Sequence, residues 1–517
     1  MLPEHKLPHT QSAPLVILGL DAGDPGLIQR WVEAGCLPNL AALMQRGSWG
    51  PVTGPELIFE DGVWVNLFSG ASAGDHGYHY FRQLTKPGSY GLHPVWGPDF
   101  DCAAFWADLK GTQHKVAIID APEVFPIEGL KGIQLADWAV HRPLVPPSAQ
   151  PTQLLNSVKK IFGKQINICE DFDSTPDSDE KTYRRLIERV QKKGHLCRQL
   201  WAQDAYDLMV AVFAESHTGG HQLWDYQAGD SSLRDGVKSI YQAIDKEIGL
   251  ILQQLPAEAN VFVVSPVGLF DQYPSGGLMA DFLLKLGYRT LPEPGEQPLS
   301  LSPMDILRRI LPESVRIALS QFLSRETRER LLSAQFQGAT DWAKTTVFMI
   351  PSEFTSYLHV NLKGREPEGI VAPGKNYEDL LRRLQRDLEQ LIDPKSGEPA
   401  VQQVIRPREL FGENAHPTLP DVVVKWRPGP YFMETVIHPQ AVLTQEKPEF
   451  FRGSDHHQTG FFAAAGPAIA ANGRLDSVAL RDLAPTFLSL LGRPVPTTMS
   501  GRVLPLVSQP ITSASKP

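Results

Sequence analysis

Cysteine is scarce: 517 residues contain four, Cys36, Cys102, Cys169 and Cys197, none of them in a C-x-x-C pair. A disulfide framework and a thiolate zinc knuckle are thereby excluded, and a reducing compartment is expected. Long apolar runs are missing as well. None approaches the roughly 20 residues that span a bilayer. The amino-terminal MLPEHKLPHTQSAP lacks the basic and apolar regions of a secretory signal, so a cytoplasmic protein with no membrane span is expected. Positive charge is not in excess, with Lys+Arg 49 against Asp+Glu 58 and a formal net charge of −9. Nucleic acid and anionic membrane surfaces both require a basic footprint, so neither is expected as a partner. There is no internal repeat. Gly 42 and Pro 44 make up about a sixth of the chain, below the roughly 25–30% of low-complexity sequence, and so mark turns in an ordered fold.

What is present is a set of short, continuous apolar runs. Leu15 to Leu20 is one, closed by Asp21-Ala22-Gly23-Asp24-Pro25. Such a run reads as a parallel strand buried on both faces, and Pro25 suits the first turn of a helix that Gly35 ends. Runs of the same type follow at Lys115 to Ile119 before Asp120, Leu208 to Phe213, Asn260 to Val264 and Val422 to Val424. Helical patterns lie between them, as in Ile240 to Leu255, whose Tyr241, Ile244, Ile248, Ile251 and Leu252 form one stripe. Strands alternating with helices of this length predict a mostly parallel sheet covered on both sides. Two stretches break the alternation and read as helical insertions: the charged 157–194, and the amphipathic 299–332 with MDILRRIL, VRIALSQFL and RERLL. The tail SQPITSASKP lacks apolar content and reads as flexible.

Chemistry concentrates after two of these strands. Glu215-Ser216-His217-Thr218-Gly219-Gly220-His221 follows Leu208 to Phe213, and two histidines four apart share one face if the turn is helical. Gly453-Ser454-Asp455-His456-His457 precedes the apolar Phe461 to Ala465. Three imidazoles from these loops suffice for zinc and leave a coordination position open; hydrogen-bonding loop histidines are the other reading. Asp21, at the carboxyl end of a buried strand, stands where open α/β sheets place ligand chemistry. Gly70-Ala71-Ser72-Ala73-Gly74 satisfies G-x-S-x-G, but Val63 to Phe68 before it reads equally well as helix. A nucleophile elbow needs a strand there, which argues against Ser72 as a nucleophile.

In order along the chain, LGLDAGDPGLIQRWVEAGCLPNLAALMQRG, VWVNLFSGASAGDHGYHYF, FAESHTGGHQLWDY, NVFVVSPVGL, HPTLPDVVVKW, GSDHHQTGFFAAAGPAI and RDLAPTFLSLLGRPVPTTMSGRVL resemble the alkaline phosphatase superfamily, in its type I phosphodiesterase and nucleotide pyrophosphatase branch. The resemblance implies an alkaline-phosphatase-like three-layer α/β sandwich with a mostly parallel central sheet and helical cap insertions. It implies one such domain over 14–506, interrupted at about 145–200 and 280–340, with flexible tails at 1–13 and 507–517. It also implies two metals, usually zinc, flanking a Thr or Ser nucleophile. Asp21 matches the first carboxylate ligand, His221 the histidine of the family's D-x-x-x-H, and His456 the late histidine.

Departures from the pattern bear on mechanism. The nucleophile position falls on Glu60, the Asp of D-x-x-x-H is His217, and the family's Ser-Asp-His-Gly is Ser265-Pro266-Val267-Gly268. Proline and valine cannot coordinate a metal. The resemblance so modified implies one zinc per chain on His217, His221 and His456, with Asp21 as a further metal ligand. The activity implied is hydrolysis of a small phosphate ester or diester, with Glu60 or Asp21 as general base. A substrate other than phosphate, or an inactive relative kept as a binding scaffold, are the alternatives. Among lesser residues, Glu215 is expected to orient a ligand histidine, His76 and His79 to reach the site or brace their loop, Arg365 to pair with a neighbouring glutamate, and Asp421 to form a turn.

Overall fold

A computed structural model describes residues 13–54, 58–85, 88–95, 99, 102–141, 146–168, 175–228, 231–293, 325–447 and 452–507. The expected tails lie outside these residues except at 13 and 507, as do Cys169 and the segments MDILRRIL and VRIALSQFL. No helix among the described residues is long and apolar enough to cross a membrane. The chain divides into two compact units: Met1–His76, Gly97–Gln272 and Phe450–Pro517 form the first, Gly77–Trp96 and Tyr273–Glu449 the second.

The first unit is built on a sheet of ten strands among the described residues. From one edge the order is Gly473–Arg474, Ser48–Thr53, Gly460–Ala465, Asn260–Ser265, Leu15–Leu20, Leu208–Phe213, Lys115–Ile119, Lys131–Ala136 and Ser148–Gln150, with Val478–Ala479 also on Ser48–Thr53. The five strands from Asn260–Ser265 to Lys131–Ala136 are mutually parallel. Gly460–Ala465 and Ser148–Gln150 join them antiparallel on either side. Because successive side chains of a strand point to opposite faces, Val16, Leu18 and Leu20 enter one apolar layer and Leu15 and Ile17 another. The first layer is covered by helices Pro25–Glu33, Leu154–Phe162, Pro176–Trp201 and Gly236–Leu252, the second by Val63–Ser69 and Leu483–Leu490. That is the three-layer α/β sandwich the sequence predicts, and its layers explain why the central strands are continuous apolar runs.

Leu15–Leu20 lies between Leu208–Phe213 and Asn260–Ser265, so the segments that leave these three strands emerge side by side at the carboxyl edge. Asp21 follows the first strand, Glu215 to His221 the second, and Pro266 to Gly268 the third. A crevice at that edge is where ligands bind in open parallel sheets.

The charged stretch predicted at 157–194 contains most of the 26-residue helix Pro176–Trp201, opened by a Thr175–Ser178 capping box with Pro176 in its first turn. It packs in the same apolar layer as the strands through Leu186, Val190, Leu196, Cys197 and Leu200. It also delivers two fully buried cations to the carboxyl edge. Arg189 Nε donates to Glu215 Oε1 at 2.6 Å, and Lys193 Nζ stands 3.1 Å from Asp120 Oδ2. Lys193 also donates to the Ala139 carbonyl at 2.9 Å, while Asp120 accepts the backbone N–H of Trp138 and Ala139.

The second unit holds Val347–Met349, Ser356–Val360, Val422–Trp426 and Val401–Ile405 in one antiparallel sheet, with helices Gly276–Lys285 and Lys375–Glu389 in its apolar cluster. Val422 to Val424, read as a strand of the parallel sheet, is thus a central strand of this one. A buried apolar run reports burial and says nothing of its neighbours' direction. Asp421 is not simply a turn residue: buried at 5% exposure, its carboxylate receives both Arg365 terminal nitrogens (2.9 and 2.6 Å), the Tyr377 hydroxyl and the Val360 N–H. Arg365 pairs with Glu366 at 2.7 Å as the sequence predicts.

Removing one partner of a fully buried ion pair strands the other charge, typically at a cost of about 3–5 kcal/mol. Lys193→Met is accordingly expected to lower the urea concentration at which the first unit unfolds, and adding Asp120→Asn to recover part of the loss. Unfolding of the single variant at the wild-type midpoint would contradict a stabilising role for the buried Lys193–Asp120 pair.

Candidate metal centre

Strand Leu208–Phe213 passes through Ala214 directly into helix Glu215–Leu223. The helix start is tied to the neighbouring strand end by Ser216, whose hydroxyl donates to the Asp21 carbonyl at 2.7 Å. Between the two histidines, a Cβ at Gly219 would collide with Ile240 and one at Gly220 with Leu269. These glycines let the helix seat closely enough for His217 and His221, one turn apart, to face the same space. His456 arrives on strand Ser454–His457, which pairs antiparallel with Gly268–Asp271 and sets His456 opposite Leu269.

The three imidazoles converge. Among the described residues His217, His221 and His456 form a group whose ligand nitrogens all lie within 4.8 Å of one another. Ring centroids are 4.8 Å apart for His217 with either partner and 5.3 Å for His221 with His456. Each Nδ1 faces a protein oxygen: Asp21 Oδ2 at 3.1 Å for His217, the Ser454 carbonyl and hydroxyl at 3.2 Å for His221, and the Glu60 carbonyl at 3.3 Å for His456. Nε2 is then the nitrogen each can present to a metal, the arrangement that outer partners impose on histidine ligands. Nε2 of His217 and Nε2 of His456 are 3.3 Å apart, close to the roughly 3.3 Å that separates two nitrogens held tetrahedrally at 2.0–2.1 Å from zinc. The donor set therefore fits a divalent cation.

The electrostatics agree. Burial, reinforced by the neighbouring His217, pushes His456 down to about 3. At neutral pH its ring is therefore uncharged, donating Nδ1–H to the Glu60 carbonyl and carrying a lone pair on Nε2. Burial acts to raise Asp21, but His217 and the Trp64 indole N–H, which donates to Oδ1 at 2.8 Å, outweigh it and hold the carboxyl below its usual range. The carboxylate sits behind His217 relative to the other two rings, at Nδ1 rather than Nε2, and the three-histidine group forms without it.

Other residues singled out from sequence fall as follows. Glu60 is half-buried, and its carbonyl supports His456. Glu215 does not orient a histidine; it is taken by Arg189 in the buried pair. His76 Nε2 lies 2.6 Å from Asn66 Oδ1, and His79 belongs to the second unit, bonded to the Gly77 carbonyl. Helix Val63–Ser69, not a strand, precedes Ser72, so the nucleophile elbow is not formed there, and the Ser72 hydroxyl donates to Asp75 Oδ2 at 2.8 Å. Pro266 and Val267 offer no donor, Val267 being packed in the apolar layer, while Ser265 Oγ accepts from Gly23 N–H and donates to the Val267 carbonyl. That segment does not fit a second metal.

Two contributors escaped the sequence reading. His141 stacks on His217 with centroids 3.7 Å apart. Trp64 reaches Asp21 because Gly19 leaves room: a Cβ there would come within 2.7 Å of the indole. An isolated glycine in a strand signals close approach of a neighbour, but not which neighbour.

A family model described as type I phosphodiesterase / nucleotide pyrophosphatase matches residues 15–455. No curated protein sequence matches the chain. Similar solved structures include human ectonucleotide pyrophosphatase / phosphodiesterase 5, at 12% identity over 93% of this chain and 96% of that one with a TM-score of 0.48. The murine ectonucleotide pyrophosphatase / phosphodiesterase 5 stands at 13%, 93%, 96% and 0.46. Phosphonoacetate hydrolase from Sinorhizobium meliloti, in complex with phosphonoformate, stands at 11%, 93%, 95% and 0.47.

The His456 environment has a pH consequence. Between pH 6.5 and about 3 the imidazole is neutral in the fold and protonated in the unfolded chain. The unfolded state then binds more protons, so stability falls as pH falls through that window. His456→Gln, which cannot titrate, should lose less stability than the wild type on going from pH 7 to pH 4 in the metal-free protein. Parallel losses by urea unfolding would contradict the assignment.

Proposed function

The chain belongs to the type I phosphodiesterase / nucleotide pyrophosphatase family of the alkaline phosphatase superfamily, and on that premise we propose that it is a divergent hydrolase of small phosphate esters or diesters using one zinc ion on His217, His221 and His456. The observation that carries this reading is the convergence of three imidazoles, each with Nδ1 facing a protein oxygen. A zinc ion bound there supplies Lewis acidity and activation of water near neutral pH.

The remaining chemistry belongs to the chain. Asp21 fixes the His217 tautomer and adds a negative charge behind the ring, and the carbonyls of Ser454 and Glu60 do the first of these for His221 and His456. Position 60 carries a carboxylate instead of a hydroxyl, so hydrolysis proceeds by direct attack of water on phosphorus and not through a covalent phosphoenzyme. Glu60 or Asp21 takes the base role in this reading, Asp21 accepting the Trp64 indole N–H on one oxygen and facing His217 Nδ1 with the other. Asp21 and Glu60 together disfavour a phosphate dianion, which makes a singly charged diester the better substrate. A second reading, an inactive relative retained for binding, draws on the loss of a hydroxyl at 60 and of donors at 266 and 267.

Metal analysis of the purified chain should find about one zinc, lost in His221→Ala and in His456→Ala; absence of metal at any stoichiometry would sink the proposal. Turnover of an aryl phosphodiester should drop by about 10²-fold or more in Glu60→Gln if Glu60 is the base. An unchanged rate removes Glu60 from that role, and bound zinc with no turnover of any ester favours the inactive relative.

A further inference from the structure

A hydrogen bond at one ring nitrogen fixes the edge of an imidazole but leaves its plane able to swing, whereas a metal bond requires the lone pair to lie in that plane and point at the ion. His217 is held at Nδ1 by Asp21. Its face is held by a second imidazole. His141 lies on it with centroids 3.7 Å apart and planes 17° from parallel, and its own Nδ1 is 3.0 Å from Thr218 Oγ1, on the residue next to His217. The segment leading to His141 is itself clamped from three directions. Asp120 accepts the N–H groups of Trp138 and Ala139, Lys193 donates to the Ala139 carbonyl, and Arg189 reaches the Val140 carbonyl at 3.4 Å. The cations of helix Pro176–Trp201 thus hold both the stacking residue and, through Glu215, the start of the helix that carries the stacked one.

Building on the three-histidine metal reading, we propose that His141 is a positioning residue for His217, setting the plane of that ring by stacking so that Nε2 is aimed at the metal before it binds. Stacking supplies orientation without a donor, which separates this role from that of a fourth ligand. Its contribution is expected in metal affinity, where outer partners of ligand histidines are typically worth about 10–100-fold.

The test is titration of metal-free protein with Co2+, read by the visible absorption of the four-coordinate ion. His141→Ala should weaken Co2+ binding by about 10-fold or more, whereas His141→Phe, which keeps a flat face and cannot coordinate, should stay within about threefold of wild type. Equal binding by His141→Ala and wild type overturns the proposal while leaving the metal centre intact. A loss in His141→Phe as large as in His141→Ala also overturns it, in favour of direct ligation. A wild-type chain that takes up no Co2+ overturns the metal reading and this proposal with it. If circular dichroism shows His141→Ala unfolded, Thr218→Val carries the test by removing only the anchor of the stacked ring. Weakening of about threefold, the scale of one hydrogen bond, supports the proposal, and unchanged binding overturns it.

Discussion

The 3.1 Å contact between Asp21 Oδ2 and His217 Nδ1 joins the ends of two parallel neighbours in the central sheet. The orientation of His217 in the centre rests on it. Asp21 is fixed by its position after a fully buried strand, by its backbone N–H on the Phe213 carbonyl, and by the Trp64 indole on its other oxygen. With Asp21 set, His217 has one tautomer and one edge direction, and the 3.3 Å approach of His456 brings together two lone pairs that a bound cation would satisfy. An Asp→Asn change here would keep the shape while allowing an amide N–H to face the ring, and the tautomer would no longer be specified.

A second layer of constraint is ionic and fully buried. Arg189 and Lys193 sit one helical turn apart on Pro176–Trp201 and reach Glu215 and Asp120, residues that follow two different strands of the sheet. Taking such charges out of water is costly, and apolar replacements often match their stability. Their value is directional: a carboxylate that receives a lysine and two backbone N–H groups holds the 138–140 segment in a way that an apolar contact, having no angle to satisfy, does not.

Much of this was legible in the sequence, and the reason lies in periodicity. Continuous apolar runs at Leu15, Lys115, Leu208 and Asn260 read as parallel strands and form them, and the three histidines that the structure gathers lie on the helix that follows one such strand and on the short strand before Gly460–Ala465. What could not be read depends on partners far apart in the chain. The Glu60 carbonyl that faces His456 is a backbone atom of no particular residue type, 396 positions away. His141 follows a strand that is not adjacent to Leu208–Phe213, so nothing local places its ring on His217. Glu215 illustrates the opposite error: proximity in sequence to His217 suggested a partnership that a buried arginine from another helix takes instead.

The resemblance implies a carboxylate ligand at the position of His217, and on the proposed reading that change is a displacement of charge and not a loss of it. In the proposed centre three neutral imidazoles would hold the cation, and the nearest carboxylate shown, Asp21, lies on the far side of one of them. Interaction energy between charges falls with distance and is large where the surroundings are apolar. Moving the carboxylate back by the width of a ring weakens its neutralisation of the ion without abolishing it. The same carboxylate is held below its usual range by the donors around it. A centre so arranged keeps its compensating charge while leaving every coordinating atom neutral, which favours binding of an anionic oxygen over one already surrounded by carboxylates.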